Sequence, residues 1–126
     1  MKKLRIGDDY GGGKIVYIDT TGKHGLIVAK EDLPEHYNLA EARKACSDLV
    51  IDGYTGWKVP TIRRLKKIYP EMELIGGFEG WDYWSSTKSN KEKNLYWYLN
   101  FGDGPMMCAF AQRPTEKLRV RPVRTF

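Results

Sequence analysis

Hydrophobic residues change their spacing twice along this chain of 126 residues, and that change restricts the possible folds more than any other feature. The runs at 14–19 and 25–30 are β-rich and flank a glycine-containing turn cluster, which predicts a hairpin with a longer loop. Helical spacing follows from residue 38 to residue 69, and β-type runs return after residue 81. Because the strands are grouped rather than alternating with helices, this order predicts an α+β fold: an N-terminal β-hairpin, two helices, then antiparallel strands.

The first helix is predicted to begin after Asn38, where apolar residues start to recur at intervals of three and four. Asn38 is a suitable N-cap, and Glu41 three residues later completes a capping-box pattern. Gly53 is a suitable place for the helix to stop. The residues expected on its buried face are Leu39, Ala42, Cys46 and Leu49.

The second helix is predicted to begin after Thr61, because the residue before Pro60 favours an extended backbone and Thr61 can cap a helix that starts at residue 62. Its apolar stripe consists of Ile62, Leu65 and Tyr69, and Pro70 limits it. The other face carries the cations Arg63, Arg64, Lys66 and Lys67. Cations in a first turn oppose the helix dipole, and like charges at i, i+4 repel by about 0.2–0.5 kcal/mol. This face is either a solvated surface or part of an anion-binding patch.

The second half of the chain contains four β-type runs, at 83–87, 95–101, 106–111 and 118–124. Within 95–101, alternation places the apolar residues on one face and Tyr96, Tyr98 and Asn100 on the other. We expect three tryptophans to be largely buried, namely Trp57, Trp84 and Trp97. The aromatic residues expected to be available to a ligand are Trp81, in a predicted loop, and the pair Tyr96 and Tyr98.

The composition fits a single globular domain over residues 1–126, and no apolar run approaches the ~20 residues that span a bilayer. The first residues lack the apolar stretch of a secretory signal, so we expect a cytoplasmic or virion-associated protein. A formal net charge of +5 permits contact with polyanions. A membrane or nucleic-acid partner is not favoured, whereas an oligomer is compatible with the sequence.

Patterns that carry catalysis or bind metals are missing from the sequence. The glycines at 11–13 lack the remaining residues of a phosphate-binding loop. The two histidines, His24 and His36, fall in a predicted turn and a loop, which disfavours a nucleophilic triad. Calcium-dependent lectin motifs are absent, and Asn100 with Asp103 would supply too few oxygens for Ca²⁺. We therefore expect a non-enzymatic protein without cofactor or metal.

Six separate stretches together resemble one known family. They are Ile6-Gly7-Asp8 with Gly12-Gly13 and Ile15-Val16-Tyr17; Gly22-Lys23-His24-Gly25-Leu26-Ile27; Gly56-Trp57-Lys58-Val59-Pro60-Thr61; Tyr83-Trp84-Ser85-Ser86-Thr87; Trp97-Tyr98-Leu99-Asn100-Phe101 with Gly102-Asp103-Gly104; and Val120-Arg121-Pro122-Val123-Arg124. In this order they resemble the C-terminal domain family of the Legionella collagen-like adhesin, long classed as a domain of unknown function. The resemblance covers nearly the whole chain.

The resemblance implies a C-type-lectin-like fold, related to the sulfatase-modifying-factor fold and to diversified phage receptor proteins. It also implies adhesion through sulfated or otherwise anionic polysaccharides. The alternative is an interaction or structural subunit, such as a phage tail or virion component, that uses the same fold to bind a protein partner. Family members often carry a second cysteine in the last strand, where this chain has Pro122. We therefore expect Cys46 and Cys108 to be reduced.

The candidate ligand-binding residues combine positive charge with aromatic surface. Arg63, Arg64 and Lys67 form the cationic part on the second helix. Arg119 and Arg121 share one face of a predicted strand and extend this part if the fold brings them close. Guanidinium groups offer forked donors to sulfate and carboxylate groups. Together with Trp81, Tyr96 and Tyr98, these residues make up the expected site.

Overall fold

In a computed structural model, the chain is described over residues 3–78, 82–89, 95–102, 106–110 and 117–126. Within these ranges, α-helices and antiparallel strands form an α+β fold with a four-stranded and a three-stranded sheet. The strands are β1 (Asp9–Tyr10), β2 (Gly13–Ile18), β3 (Gly25–Val28), β4 (Asp82–Lys88), β5 (Leu95–Asn100), β6 (Met106–Phe110) and β7 (Val123–Thr125). The helices are α1 (Leu39–Asp48), α2 (Ile62–Ile68) and α3 (Met72–Ile75), with a 3-10 turn at Tyr69–Glu71.

The four-stranded sheet joins the two ends of the described chain. Its order is β1-β2-β3-β7, and each neighbouring pair is antiparallel. The predicted hairpin is therefore confirmed as β2 and β3, and β7 extends it through the pairing of Val28 with Val123. The three-stranded sheet, in the order β4-β5-β6, follows the helices as predicted.

Helix α1 begins as the sequence predicts and ends earlier. The Asn38 side chain accepts a hydrogen bond from the Glu41 N–H at 2.9 Å, and the Glu41 carboxylate accepts one from the Asn38 N–H at 3.0 Å. The helix ends at Asp48 because Leu49 is already extended. Gly53, the predicted stop, belongs instead to a tight turn closed by the Ile51 and Tyr54 backbones.

Helix α2 is attached to the second sheet at its first turn. Thr61 caps it by accepting from the Arg64 N–H, as predicted, and Thr87 of β4 accepts from the Ile62 N–H at 3.0 Å. Leu65 and Ile68, on the inner face of α2, are fully buried. This packing turns the cationic face of α2 away from the core.

Buried residues form two clusters that alternate along the strands. Neighbouring residues Tyr83 and Trp84 of β4 lie in different clusters, since successive side chains of a strand point to opposite faces. Trp57 and Trp84 are buried as predicted, whereas Trp97 is only half-buried. Among the described residues, no helix is long and apolar enough to cross a membrane.

Two expectations about the last strands are wrong. Tyr96 and Tyr98 do not lie on an open face, because both are half-buried against the cluster that contains Trp84. The run 118–124 is not one continuous strand, because only Val123–Thr125 pairs as β7. Leu118 and Arg119 make single bridges to Tyr37 and Tyr83 instead.

Cys46 is a free thiol in the interior. Burial raises the pKa of its thiol to about 12, since the thiolate would lose its hydration there. The thiol is therefore inert at neutral pH and fills space in the core. The side chain of Cys108 lies outside the described part of the chain.

Candidate functional site

An open groove of about 640 Å³ lies where α2 faces the β2–β3 hairpin and the end of the described chain. Its charged and aromatic lining residues include Tyr17, Asp19, His24, Arg63, Arg64 and Lys67. We call it the cationic groove. The three cations predicted on the second helix are thus brought to one surface, together with residues of the hairpin.

The cations of the groove are held outward by the packing of α2. Arg63 and Lys67 are exposed and Arg64 is half-buried, while Leu65 on the same helix has no exposed surface. Among the described residues, no carboxylate lies within ion-pair distance of these three cations. Their charge is consequently available to a ligand.

Asp19 contributes the negative charge among these lining residues. Its carboxylate accepts hydrogen bonds from the Thr21 N–H at 3.0 Å and the Thr21 hydroxyl at 2.6 Å. These bonds lower the pKa of Asp19, because they favour the ionised carboxylate. Asp19 is therefore charged at neutral pH, and its bonds to Thr21 hold it in the hairpin turn.

The exposed phenol ring in the groove belongs to Tyr17, which the sequence interpretation did not include. The Lys67 ammonium lies 4.4 Å from the centre of the Tyr17 ring, a cation–π contact between the helix and the hairpin. His24, which the sequence places in a solvent-facing turn, also lines the groove, with its Nδ1 3.3 Å from the Phe126 carbonyl. The predicted hairpin was the sequence feature that could have identified Tyr17 and His24. Residues near a hairpin turn can face an element that packs beside the sheet, as α2 does here.

Arg121 does not lie on the surface, so its assignment as a ligand-binding residue is wrong. Its side chain has no exposed surface, and its Nε donates to Asp32 at 2.9 Å. The remaining guanidinium nitrogens donate to the Ala29 and Gly76 carbonyls, and the group lies 3.8 Å from the Phe78 ring centre. Burial lowers the pKa of Arg121 while the Asp32 carboxylate opposes that shift.

Arg119 and the aromatic candidates also lie apart from the groove. Arg119 is half-buried beside β4, where its backbone bonds Asp82 and Trp84, and its side chain does not line the groove. Burial raises the pKa of Asp82, while a hydrogen bond with Asn100 opposes the shift. The Arg43 guanidinium lies 5.3 Å from the centre of the Tyr96 ring, and neither residue lines the groove. Trp81 lies outside the described residues.

No group of three His, Cys, Asp or Glu side chains among the described residues is arranged to hold a metal ion. The groove brings together three cations without carboxylate partners among the described residues and an exposed aromatic ring. Such a surface attracts anionic groups from solution.

Comparison with protein families found a matching family. The family model described as the Lcl C-terminal domain matches residues 20–124. No curated protein matches the chain. The matched range contains all three helices, strands β3 to β6 and the first two residues of β7, and it includes Arg63, Arg64 and Lys67 of the cationic groove.

Proposed function

Since the chain belongs to the Lcl C-terminal domain family, we propose that it is a non-enzymatic adhesion-type module that binds anionic glycans. The observation that carries the proposal is the juxtaposition of Arg63, Arg64 and Lys67 in one open groove, with no carboxylate of the described residues within ion-pair distance. What distinguishes these three cations from the other exposed cations of the described residues is that all three share one groove, in which Asp19 is the only acidic side chain.

The chemistry of these side chains suits sulfate and carboxylate groups. Each guanidinium presents a planar fork of donors to a pair of anionic oxygens, and the Lys67 ammonium acts as a point charge. The groove is open to solvent, so each contact is individually weak and is screened by salt. Useful avidity then requires a ligand with repeated charges or several copies of the domain.

We also propose that the α+β arrangement is C-type-lectin-like. This fold accounts for the hairpin that pairs with the last strand and for the aromatic residues on β4 and β5. It also accounts for the two longer helices, which lie between β3 and β4 in the sequence. In this proposal the domain belongs with glycan-binding relatives of that fold.

Retention on heparin tests the function directly. The variant Arg63→Glu, Arg64→Glu, Lys67→Glu is compared with a control in which Lys58, Lys66 and Lys88 are each changed to Glu. All three control lysines are exposed and lie outside the cationic groove. The net charge change is the same, so any difference between the two variants reports position rather than total charge.

We expect the groove variant to elute at clearly lower salt than the control variant, and both earlier than the unchanged protein. Equal elution of the two variants would reduce retention to net charge and overturn the groove as the site. An unchanged protein that is not retained at low salt but forms a stable oligomer would instead support a phage or virion structural subunit.

A further inference from the structure

Tyr17 reaches the cationic groove because β2 contains an irregularity next to it. Ile15 pairs with Ile27, but Tyr17 pairs with Leu26, so one extra residue of β2 lies between the two pairs. Ile15 and Ile27 lie in one buried cluster, whereas Val16 and Leu26 lie in the other, with Leu65 of α2. Because cross-strand partners share a face, the pairing with Leu26 places Tyr17 on the side of the sheet that α2 covers. Tyr17 is 40% exposed. A β-bulge of this kind re-aims the side chain that follows it.

The partner strand is adapted to the same arrangement. A Cβ atom on Gly25 would lie 2.1 Å from the Tyr17 carbonyl oxygen and 2.7 Å from the Phe126 ring. Since backbone cannot yield at such a distance, position 25 tolerates glycine alone while Tyr17 stays where it is. Two local features, a bulge and an obligatory glycine, thus maintain an exposed aromatic ring in the groove.

One face of the Tyr17 ring already contacts a charge that would hold an anion, so a ligand ring would stack on the opposite face. Lys67 lies 4.4 Å from the ring centre, and Arg63 and Arg64 line the same groove. A ligand that carries a charged group directly on a ring with an apolar face can contact the Tyr17 ring and the groove cations at the same time. Sugar rings of sulfated and uronic-acid saccharides have this construction, whereas a polyphosphate chain has charge without a ring.

We propose that Tyr17 is a specificity-determining residue, stacking on one sugar ring of an anionic saccharide while Arg63, Arg64 and Lys67 contact its sulfate or carboxylate groups. This inference rests on the proposed function and adds a selection rule to it. The cations attract any polyanion, and Tyr17 makes the groove prefer those built of sugar rings.

The test measures affinity for two probes, a heparin-derived octasaccharide and a linear polyphosphate of similar charge. We expect Tyr17→Ala to weaken octasaccharide binding about fivefold, the scale of one aromatic stacking contact, and to leave polyphosphate binding unchanged. Tyr17→Phe retains the ring and should bind both probes as the unchanged protein does. Thermal unfolding of each variant confirms that the fold is intact.

Tyr54→Ala is the matched control. Tyr54 is 43% exposed and has a cation, Arg124, 4.9 Å from its ring centre, but it does not line the groove. A loss of octasaccharide affinity in Tyr54→Ala equal to that in Tyr17→Ala would overturn the inference. The inference would also be overturned if Tyr17→Ala lost affinity for both probes equally, or lost affinity for neither probe.

The failure of the proposed function has a different signature. If the Arg63, Arg64 and Lys67 charge reversals leave the binding of both probes unchanged, the groove is not the site and both proposals are wrong. The same conclusion follows if the unchanged protein binds neither probe. If those reversals abolish binding while Tyr17→Ala is neutral for both probes, the proposed function remains and the role of Tyr17 is rejected.

Discussion

Arg63 and Arg121 show how differently the same side chain is used in two regions of this protein. Arg63 projects from α2 into an open groove and has no carboxylate partner among the described residues. Arg121 is enclosed, with Asp32, two backbone carbonyls and the Phe78 ring occupying its guanidinium. An arginine is available to a ligand only where the fold leaves its donors facing solvent rather than buried acceptors.

The buried ion pair connects three parts of the chain. Arg121 precedes β7, Asp32 follows β3, and Gly76 follows α3. Tyr83 of β4 adds a fourth part, since its hydroxyl donates to the other Asp32 oxygen at 2.6 Å. These bonds satisfy buried polar groups from four segments of the chain. This network therefore serves the fold, whereas the groove cations have no carboxylate partner among the described residues.

The largest expected effect comes from breaking the buried pair. Arg121→Ala leaves the Asp32 carboxylate, which is 2% exposed, without its cation, and should destabilise the protein by about 3–5 kcal/mol. Urea unfolding measures this loss, with Arg63→Ala as the control that should leave the midpoint unchanged. A similar midpoint for the two variants would contradict the distinction between the two arginines.

A smaller loss is expected from the neighbouring hydroxyl. Tyr83→Phe removes one hydrogen bond to the Asp32 carboxylate and keeps the buried ring, so the free energy of unfolding should fall by about 1.5–3 kcal/mol. Tyr37→Phe is a useful comparison, because its ring also packs on the core while its side chain has no hydrogen bond to Asp32 among the described residues. The network assignment fails if both variants unfold alike.

The smallest effect has the opposite sign. Arg63 lies in the first turn of α2, which contains no acidic residue, so Arg63→Glu should raise the free energy of unfolding by about 0.3–1 kcal/mol. The same change should weaken heparin retention if the groove binds anions. The variant would then be more stable but bind heparin more weakly. This is the pattern expected for a cation that binds a ligand at some cost to helix stability. A loss of stability in Arg63→Glu would refute this account of α2.

Local sequence patterns predicted the elements whose signals are local. The capping residues of both longer helices were identified correctly, because a cap depends on neighbours within three residues. The hairpin and the strands of the second sheet were also predicted, and the motifs indicated the family that the comparison confirmed. The cationic part of the groove was predictable for the same reason, since the apolar stripe of α2 decides where its cations point.

Only the tertiary structure decided which charged and aromatic residues meet. Alternation around residue 121 predicted a surface strand, but the segment makes isolated bridges, and Arg121 turns inward to a carboxylate 89 residues away in the sequence. Alternation in β5 likewise predicted an open face for Tyr96 and Tyr98, which a second core cluster covers. Tyr17 entered the groove through a bulge that shifts its pairing with β3. These outcomes depend on distant segments packing together, and hydrophobic periodicity describes only one segment at a time.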